Sequence, residues 1–284
     1  MTFSERVISV GTPIPLAGVF TSPEQASTKS PGLILLNSGM MHHVGTCNLS
    51  VKFARSAART GIPSFRFDSS GIGDSRARTF AGGHEEREVS EIREVMDELS
   101  RQEGITRFIL CGLCSGADAA LATAAVDQRV VGIVQLDPLC FRTLKWYFYH
   151  YFPRVTDINC WLRLLKRLCG AQVVPEALAP EFLEEVDEQT RHDLDRQMLT
   201  SAYKELVRRG VHIMVVMTGG QEHIYNTLGQ FREVFGSVNF GSALAEHYLP
   251  RSQHIVTEPE DQVFIVDLVT SWSALAAKNE KLLE

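Results

Sequence analysis

The residues with the clearest chemical potential are Cys114 and the two glycines that flank it, in the segment Gly112-Leu113-Cys114-Ser115-Gly116. A short apolar run precedes this segment, and a small-residue helical pattern follows it to about Val126. A strand, a tight turn and a helix form the context in which a nucleophile is held exposed on a strained backbone. The N–H of Ser115 would face an oxyanion, and the start of the helix would lower the pKa of the Cys114 thiol.

The pentapeptide alone fits a buried cysteine in a tight strand-to-helix turn equally well. Whether Cys114 is structural or catalytic therefore has to be judged from the strands and helices predicted around it. Continuous apolar runs predict strands at 6–10, 16–20, 32–37, 62–68, 108–110, 130–138 and 211–217, and residues 242–248 fit either a strand or a helix. Amphipathic or small-residue patterns predict helices at 48–60, 84–102, 117–126, 224–235 and 258–277. The first two strands form an antiparallel pair, and the later alternation predicts right-handed crossovers and a mostly parallel sheet.

The periodicity changes after the strand that ends near residue 138. Residues 139–209 contain no good strand pattern, and we interpret them as a helical cap inserted into a core formed by 1–138 and 210–284. This cap begins with an aromatic run from Trp146 to Phe152. The run fits packing of the cap on the core, or an apolar wall for an acyl or aromatic substrate, in which Trp146 and Phe148 would contact the substrate. A role at a membrane surface is less favoured, because aromatic and basic residues do not alternate at helical spacing.

These elements and the five-residue turn resemble the α/β-hydrolase superfamily over nearly the whole chain. The resemblance rests on Gly112-Leu113-Cys114-Ser115-Gly116, on the stretch Arg66-Phe67-Asp68-x-x-Gly71-x-Gly73-Asp74-Ser75, and on His254 before the last helix. Gly-Leu-Cys and the arginine-to-serine stretch are similar to small hydrolases associated with exosortase and with biosynthetic gene clusters. A cysteine also replaces serine in dienelactone hydrolases, which lack so long a cap, and in polyhydroxyalkanoate synthases, which are longer. The resemblance implies an α/β-hydrolase fold and the chain order nucleophile, acid, histidine.

His254 is the best candidate for the base, because it alone among the nine histidines combines a late loop with an immediately following closing helix. It would hold Cys114 as a thiolate or take its proton during attack. Two carboxylates compete for the acid. Glu222 follows the strand that usually carries the acid in this fold, and Asp137 ends the preceding strand. We favour Glu222 and keep Asp137 as the alternative.

The oxyanion requires a second donor besides the Ser115 amide. The loop 37–41 follows a buried strand and lies where open α/β sheets place ligands. It lacks the first histidine of the usual His-Gly-Gly segment. We expect the amide of Met40 to serve, with Ser38 and Gly39 as alternatives.

Bulk properties limit the functional classes. The chain has 284 residues and a net charge of −6, which argues against a nucleic-acid binder. We expect no integral membrane segment and no signal peptide, because there is neither an apolar run near 18 residues nor a basic start followed by an apolar core. The six cysteines predict reduced thiols and a cytoplasmic location, since none belongs to a zinc-type array. The glycine-rich turn 70–75 lacks phosphate-loop spacing, and we expect neither a metal nor a cofactor.

These features favour a cysteine-dependent hydrolase or acyltransferase that acts on an ester, lactone or thioester through an acyl-enzyme on Cys114. Hydrolysis is favoured slightly over transfer. The substrate would be a small acyl compound, either free or presented on a carrier protein or coenzyme A. The alternative is a non-catalytic α/β-hydrolase-fold module that binds an acyl group or a protein, as the missing serine suggests.

Overall fold

The architecture is an eight-stranded sheet, seen in a computed structural model that describes residues 2–24, 30–156 and 196–279. The strands are β1 (Phe3–Val10), β2 (Leu16–Pro23), β3 (Gly32–Leu35), β4 (Ser64–Phe67), β5 (Phe108–Leu113), β6 (Val130–Leu136), β7 (His212–Thr218) and β8 (Leu244–Leu249). Their order in the sheet is β1-β2-β4-β3-β5-β6-β7-β8. The β1–β2 and β2–β4 pairs are antiparallel, and every later pair is parallel. The predicted N-terminal antiparallel pair and mostly parallel sheet are confirmed.

Helices cover both faces of the sheet. They are α1 (Leu49–Arg59), α2 (His84–Glu103), α3 (Ser115–Val126), α4 (Leu144–Thr156), α5 (Arg196–Arg208), α6 (Gln230–Val234) and α7 (Pro259–Asn279). Alternate residues of β5 divide between two buried clusters, because successive side chains of a strand point to opposite faces. One cluster joins Phe108 and Leu110 to α2, α3 and α5, and the other joins Ile109 and Cys111 to α1 and α7.

The central strands are apolar along their whole length because both of their faces are buried. Every residue of β3 and β5 is buried, as expected for parallel strands under two helical layers. Since β3, β5, β6 and β7 run parallel, their carboxyl ends meet at one edge of the sheet. The segments that leave this edge carry the candidate site, and His254 belongs to it because β8 runs parallel to β7 and ends at the same edge.

The structure corrects the extent of one predicted helix and decides the nature of one ambiguous segment. The helix predicted over 224–235 is wrong in extent, because only the five-residue α6 forms within this segment. The ambiguous segment near 242–248 is the strand β8, which pairs with β7. None of the helices in the described ranges is both long and apolar enough to cross a membrane.

The predicted cap is described only at its two ends. Residues 157–195 lie outside the described residues, so the domain boundaries at 139 and 209 stay a prediction. Helix α5, which we assigned to the cap, contributes the buried residues Leu199, Tyr203 and Leu206 to the core. Tyr203 donates a hydrogen bond of 3.0 Å to the side chain of Gln135 in β6, which anchors α5 beside the sheet.

Candidate active site

Cys114 lies in a strained turn between β5 and α3. Its backbone has φ 56° and ψ −122°, a conformation that is costly for a residue with a side chain and that raises it out of the strand. The two glycines are required by space. A Cβ on Gly112 would lie 2.2 Å from carbonyl atoms of Gly116, and a Cβ on Gly116 would lie 2.3 Å from the carbonyl oxygen of Asn37. The predicted turn therefore forms, with the cysteine at its apex.

His254 connects Cys114 to a buried carboxylate. Its Nδ1 lies 2.7 Å from Oδ2 of Asp137, which is fully buried, and its ring also forms a hydrogen bond with the Cys114 thiol. With Nδ1 bound to Asp137, Nε2 is the ring nitrogen available to the sulfur. Cys114, His254 and Asp137 thus form a continuous chain of hydrogen bonds, the arrangement by which a base is oriented toward a nucleophile.

The charge state of His254 follows from its partners. Burial of the ring lowers the pKa of His254, but the hydrogen bonds to Asp137 and Cys114 outweigh burial and raise the pKa to about 10. The ring is therefore an imidazolium at neutral pH. Its hydrogen bond to Cys114 places a charged proton donor beside the sulfur.

Two further side chains lie against this pair, and one of them, Thr218, donates hydrogen bonds to Asp137. Thr218, the last residue of β7, donates its backbone N–H to Oδ1 of Asp137 at 2.6 Å and its hydroxyl to Oδ2 at 2.7 Å. The amide nitrogen of Gln221 lies 3.1 Å from Nδ1 of His254. Asp137 itself has φ 47°, so its backbone turns sharply at the end of β6 to aim the carboxylate at the histidine. Sequence reasoning missed both residues, although Thr218 is visible as the hydroxyl residue that ends an apolar strand.

The preference for Glu222 over Asp137 disagrees with this geometry. The side chain of Glu222 is exposed, and its backbone carbonyl accepts a hydrogen bond of 3.0 Å from the indole of Trp146. The turn that follows β7 directs Glu222 outward. Asp137, in contrast, is the residue directly after β6, and its carboxylate contacts His254. The alternative acid is thus the one that contacts the histidine.

The loop after β3 approaches the start of α3. Here Gly39, rather than Met40, directs its N–H toward the turn at Cys114, where it donates to the Ser115 hydroxyl at 2.8 Å. The side chain of Met40 is 80% exposed. Gly39 has φ 51°, a conformation that glycine adopts without strain. Of the three amides considered from the sequence, the structure places that of Gly39 against the turn.

A second buried carboxylate, Asp68, anchors this loop. Its Oδ1 accepts from the Asn37 side chain at 3.2 Å and from the His43 backbone at 2.5 Å. Its Oδ2 accepts from the Asp74 backbone at 3.0 Å and lies 2.8 Å from Nδ1 of His43. Burial raises the pKa of Asp68, but the hydrogen bonds from His43 and Asp74 outweigh it and the net pKa is lowered. The ionised carboxylate therefore joins both ends of the loop 37–43 to the turn after β4.

The same group has residue types that could hold a metal ion. Among the described residues, ligand atoms of His43, Asp68 and Asp74 lie within 4.8 Å of one another. Both Asp68 oxygens already accept hydrogen bonds, and Asp74 contributes to them through its backbone N–H. We therefore interpret the group as a structural anchor. From the sequence, Asp68 was recognised only as part of the resemblance, and His43 only as a surface or packing residue.

The two aromatic residues expected to contact a substrate lie in different environments. Trp146 is only 2% exposed and stacks on His150 with a ring separation of 4.4 Å. Its indole N–H donates a hydrogen bond to the backbone carbonyl of Glu222, which joins α4 to the loop after β7. Phe148 is 56% exposed and stacks on Phe152. Trp146 therefore matches the packing interpretation, and a substrate contact remains a prediction for Phe148.

Comparison with known proteins supports the fold. No family model and no curated protein sequence matches the chain. Among solved structures, that of DcsB in complex with its substrate analogue is similar over 95% of this chain and 99% of that chain, with 15% identity and a TM-score of 0.59. A putative hydrolase from Agrobacterium vitis S4 is similar over 95% of this chain and 99% of its own chain, with 18% identity and a TM-score of 0.57. A cold-adapted esterase from an Arctic intertidal metagenomic library is similar over 95% of this chain and 94% of its own chain, with 16% identity and a TM-score of 0.57.

These likenesses, together with the strand order and the turn at Cys114, show that the chain has the α/β-hydrolase fold. The structural neighbours named as hydrolase and esterase share this fold with the chain at low sequence identity.

Proposed function

We propose that this protein is a cysteine-dependent hydrolase or acyltransferase that acts on an ester, lactone or thioester. The observation that carries the proposal is the hydrogen-bonded sequence of Cys114, His254 and Asp137 at the carboxyl edge of the sheet. A nucleophile at a strained turn, a base in contact with it and a buried acid behind the base serve acyl transfer on many folds. The hydrolase and esterase among the structural neighbours are consistent with this class of reaction.

The reaction would proceed in two halves. The Cys114 sulfur attacks the carbonyl carbon, and the carbonyl π electrons move to the oxygen, which becomes an oxyanion held by amides at the turn. When the intermediate collapses, the bond to the leaving group breaks, and His254 gives that group its proton. The acyl group is then a thioester on Cys114. His254 next takes a proton from water or from another acceptor, which attacks the thioester and releases the thiolate.

Asp137 would keep Nδ1 of His254 protonated, so that Nε2 faces the sulfur and the leaving group. We favour hydrolysis slightly over transfer, although a thioester intermediate reacts readily with amines and carbon nucleophiles. The acyl donor would be a small molecule, either free or carried on coenzyme A or a carrier protein. The resemblance to hydrolases of exosortase and biosynthetic gene clusters, and a reducing compartment for the free thiols, belong to the same proposal.

The test is to trap the acyl-enzyme. The full chain is incubated with a panel of acyl thioesters, activated esters and lactones, and the modified cysteine is identified by peptide mass spectrometry. We expect an acyl mass on Cys114, none in Cys114→Ala, and a large loss in Cys114→Ser because an alcohol is a weaker nucleophile at neutral pH. Turnover that survives in Cys114→Ala would refute the mechanism.

Iodoacetamide provides a comparison within the same chain. Burial raises the pKa of the Cys111 and Cys140 thiols to about 12, so both should react slowly at neutral pH. Cys47 is exposed and reports ordinary thiol reactivity. Cys114 should be alkylated faster than all three. Equal rates for Cys114 and Cys47, with no acyl adduct from the panel, would favour the non-catalytic binding module.

A further inference from the structure

The Ser115 hydroxyl occupies a position between the two backbone segments that would form the oxyanion hole. Its oxygen accepts the Gly39 N–H at 2.8 Å. Gly39 belongs to the loop after β3, which commonly provides the second oxyanion donor in this fold. Ser115 is the first residue of α3, and its own N–H is the expected first donor. The Gly39 N–H is therefore already engaged by a side chain where a substrate oxygen would need it.

Within residues 2–24, 30–156 and 196–279, the Ser115 hydroxyl accepts a hydrogen bond but donates none to another protein group. A hydroxyl offers one donor and two acceptor positions, so a hydroxyl that accepts from Gly39 still has its own proton to give. Ser115 is partly exposed, while Cys114 beside it is 8% exposed. The Ser115 hydroxyl is thus partly open to solvent and lies on the residue next to the sulfur.

We infer that Ser115 supplies two donors to the oxyanion, its backbone N–H and its hydroxyl, and that Gly39 acts through the hydroxyl. This inference rests on the proposed function and deepens it. A hydroxyl that accepts an N–H hydrogen bond becomes a stronger donor, because hydrogen bonds in a chain polarise one another. As negative charge develops on the carbonyl oxygen, the Ser115 proton would turn toward it while the Gly39 bond stays in place. Ser115 is then a further catalytic residue.

The competing arrangement makes the opposite prediction. If the substrate oxygen displaces the hydroxyl and binds the Gly39 N–H directly, the Ser115 side chain only occupies the resting site. Removing the hydroxyl would then leave acylation unchanged or make it faster. The two arrangements differ in the sign of a single measurement.

The experiment compares two reactions of the same sulfur in the full chain. Acylation by the fastest activated acyl donor of the panel forms an oxyanion, whereas alkylation by iodoacetamide does not. For Ser115→Ala we expect the single-turnover acylation rate to fall about 100-fold, as for loss of one oxyanion donor. The alkylation rate of Cys114 should stay within about twofold, since the pair with His254 is intact. Ser115→Thr, which keeps a hydroxyl, should recover most of the acylation rate.

Ser115→Gly also removes the hydroxyl, but places glycine instead of alanine at the first position of α3. Ser4→Ala is the matched control, because Ser4 is an exposed serine on β1. Wild-type or faster acylation in Ser115→Ala would overturn the inference. Equal losses of acylation and alkylation would also overturn it, because they indicate general damage to the turn. Failure of the proposed function is recognised separately, by acylation that persists in Cys114→Ala.

Discussion

Oδ2 of the fully buried Asp137 lies 2.7 Å from Nδ1 of His254, although 117 residues separate the two along the chain. The contact joins the end of β6 to the loop after β8. It makes Asp137 the acid in the proposed reaction and leaves Glu222 in solvent. The predictions below follow from this contact and from the groups around it.

The first prediction concerns the identity of the acid. Asp137→Asn should lower kcat at least about tenfold more than Glu222→Gln, which corresponds to about 1.4 kcal/mol of transition-state stabilisation. The reason is that only Asp137 contacts the base. Steady-state kinetics of both variants on the best substrate of the panel provide the check. The opposite ranking would move the acid to the loop after β7, and two near-neutral variants would indicate a Cys–His dyad.

The second prediction concerns pH. Because Asp137 and Cys114 raise the pKa of His254 from 6.5 to about 10, the native state holds this proton more tightly than the unfolded chain does. The stability that His254 contributes should be fully present below about pH 6.5 and should be lost as pH rises through about 10. Unfolding free energies of wild type and His254→Gln, measured from pH 6 to pH 10.5, should therefore converge at the alkaline end. A constant difference across this range would contradict the raised pKa.

The third prediction concerns the Thr218 hydroxyl. Thr218→Val keeps the shape of the side chain but removes a 2.7 Å hydrogen bond to the Asp137 carboxylate. Hydrogen bonds to charged groups contribute about 1.5–3 kcal/mol, so we expect a loss of that order in unfolding free energy and a lower kcat. Thr218→Ser should restore most of both.

The matched control for Thr218 is Thr123, another fully buried threonine. Its hydroxyl has no hydrogen-bond partner in the described part of the chain. Thr123→Val should be neutral or slightly stabilising, because it removes a buried polar group without a partner. Equal destabilisation of the two valine variants would show that the bond to Asp137 contributes nothing specific.

The fourth prediction concerns the anchor of the oxyanion loop. Asp68→Asn replaces one of the two accepting oxygens by an NH2 group, so it should cost about 2 kcal/mol or more in unfolding free energy. It should also slow acylation more than iodoacetamide alkylation, because the Gly39 loop shifts while Cys114 and His254 stay paired. Asp97→Asn is the control. Its carboxylate is 70% exposed in an ion pair with Arg129, and such pairs contribute about 0–1 kcal/mol.

The fifth prediction separates the two aromatic residues of α4. Trp146→Ala removes a buried indole and should cost about 3–5 kcal/mol of stability. Phe148→Ala should leave stability nearly unchanged, because the ring is half exposed, but should raise KM or alter the preferred acyl chain length. The alkylation rate of Cys114 should be unaffected in Phe148→Ala. Unaltered KM and chain-length preference would remove Phe148 from the substrate site.

The sequence by itself indicated most of the elements and the candidate nucleophile. Strands buried on both faces must be continuously apolar, so β3, β5, β6 and β7 were recognisable as runs of apolar residues. The turn at Cys114 was recognisable because a tight strand-to-helix crossing leaves no room for a Cβ at Gly112 or Gly116. His254 was recognisable from its position before the closing helix. These are local or periodic properties, and each is present in a short stretch of chain.

Only the tertiary structure decided between residues whose local surroundings were equivalent. Asp137 and Glu222 both follow strands at the same sheet edge, and the choice depends on the positive φ of Asp137 and on the turn that directs Glu222 outward. Likewise Gly39, rather than Met40, faces Ser115 because Asp68, which follows β4, accepts hydrogen bonds from Asn37 and His43 and so fixes the loop that carries Gly39. Hydrogen bonds between residues distant in sequence set these directions, and no spacing within one segment encodes them.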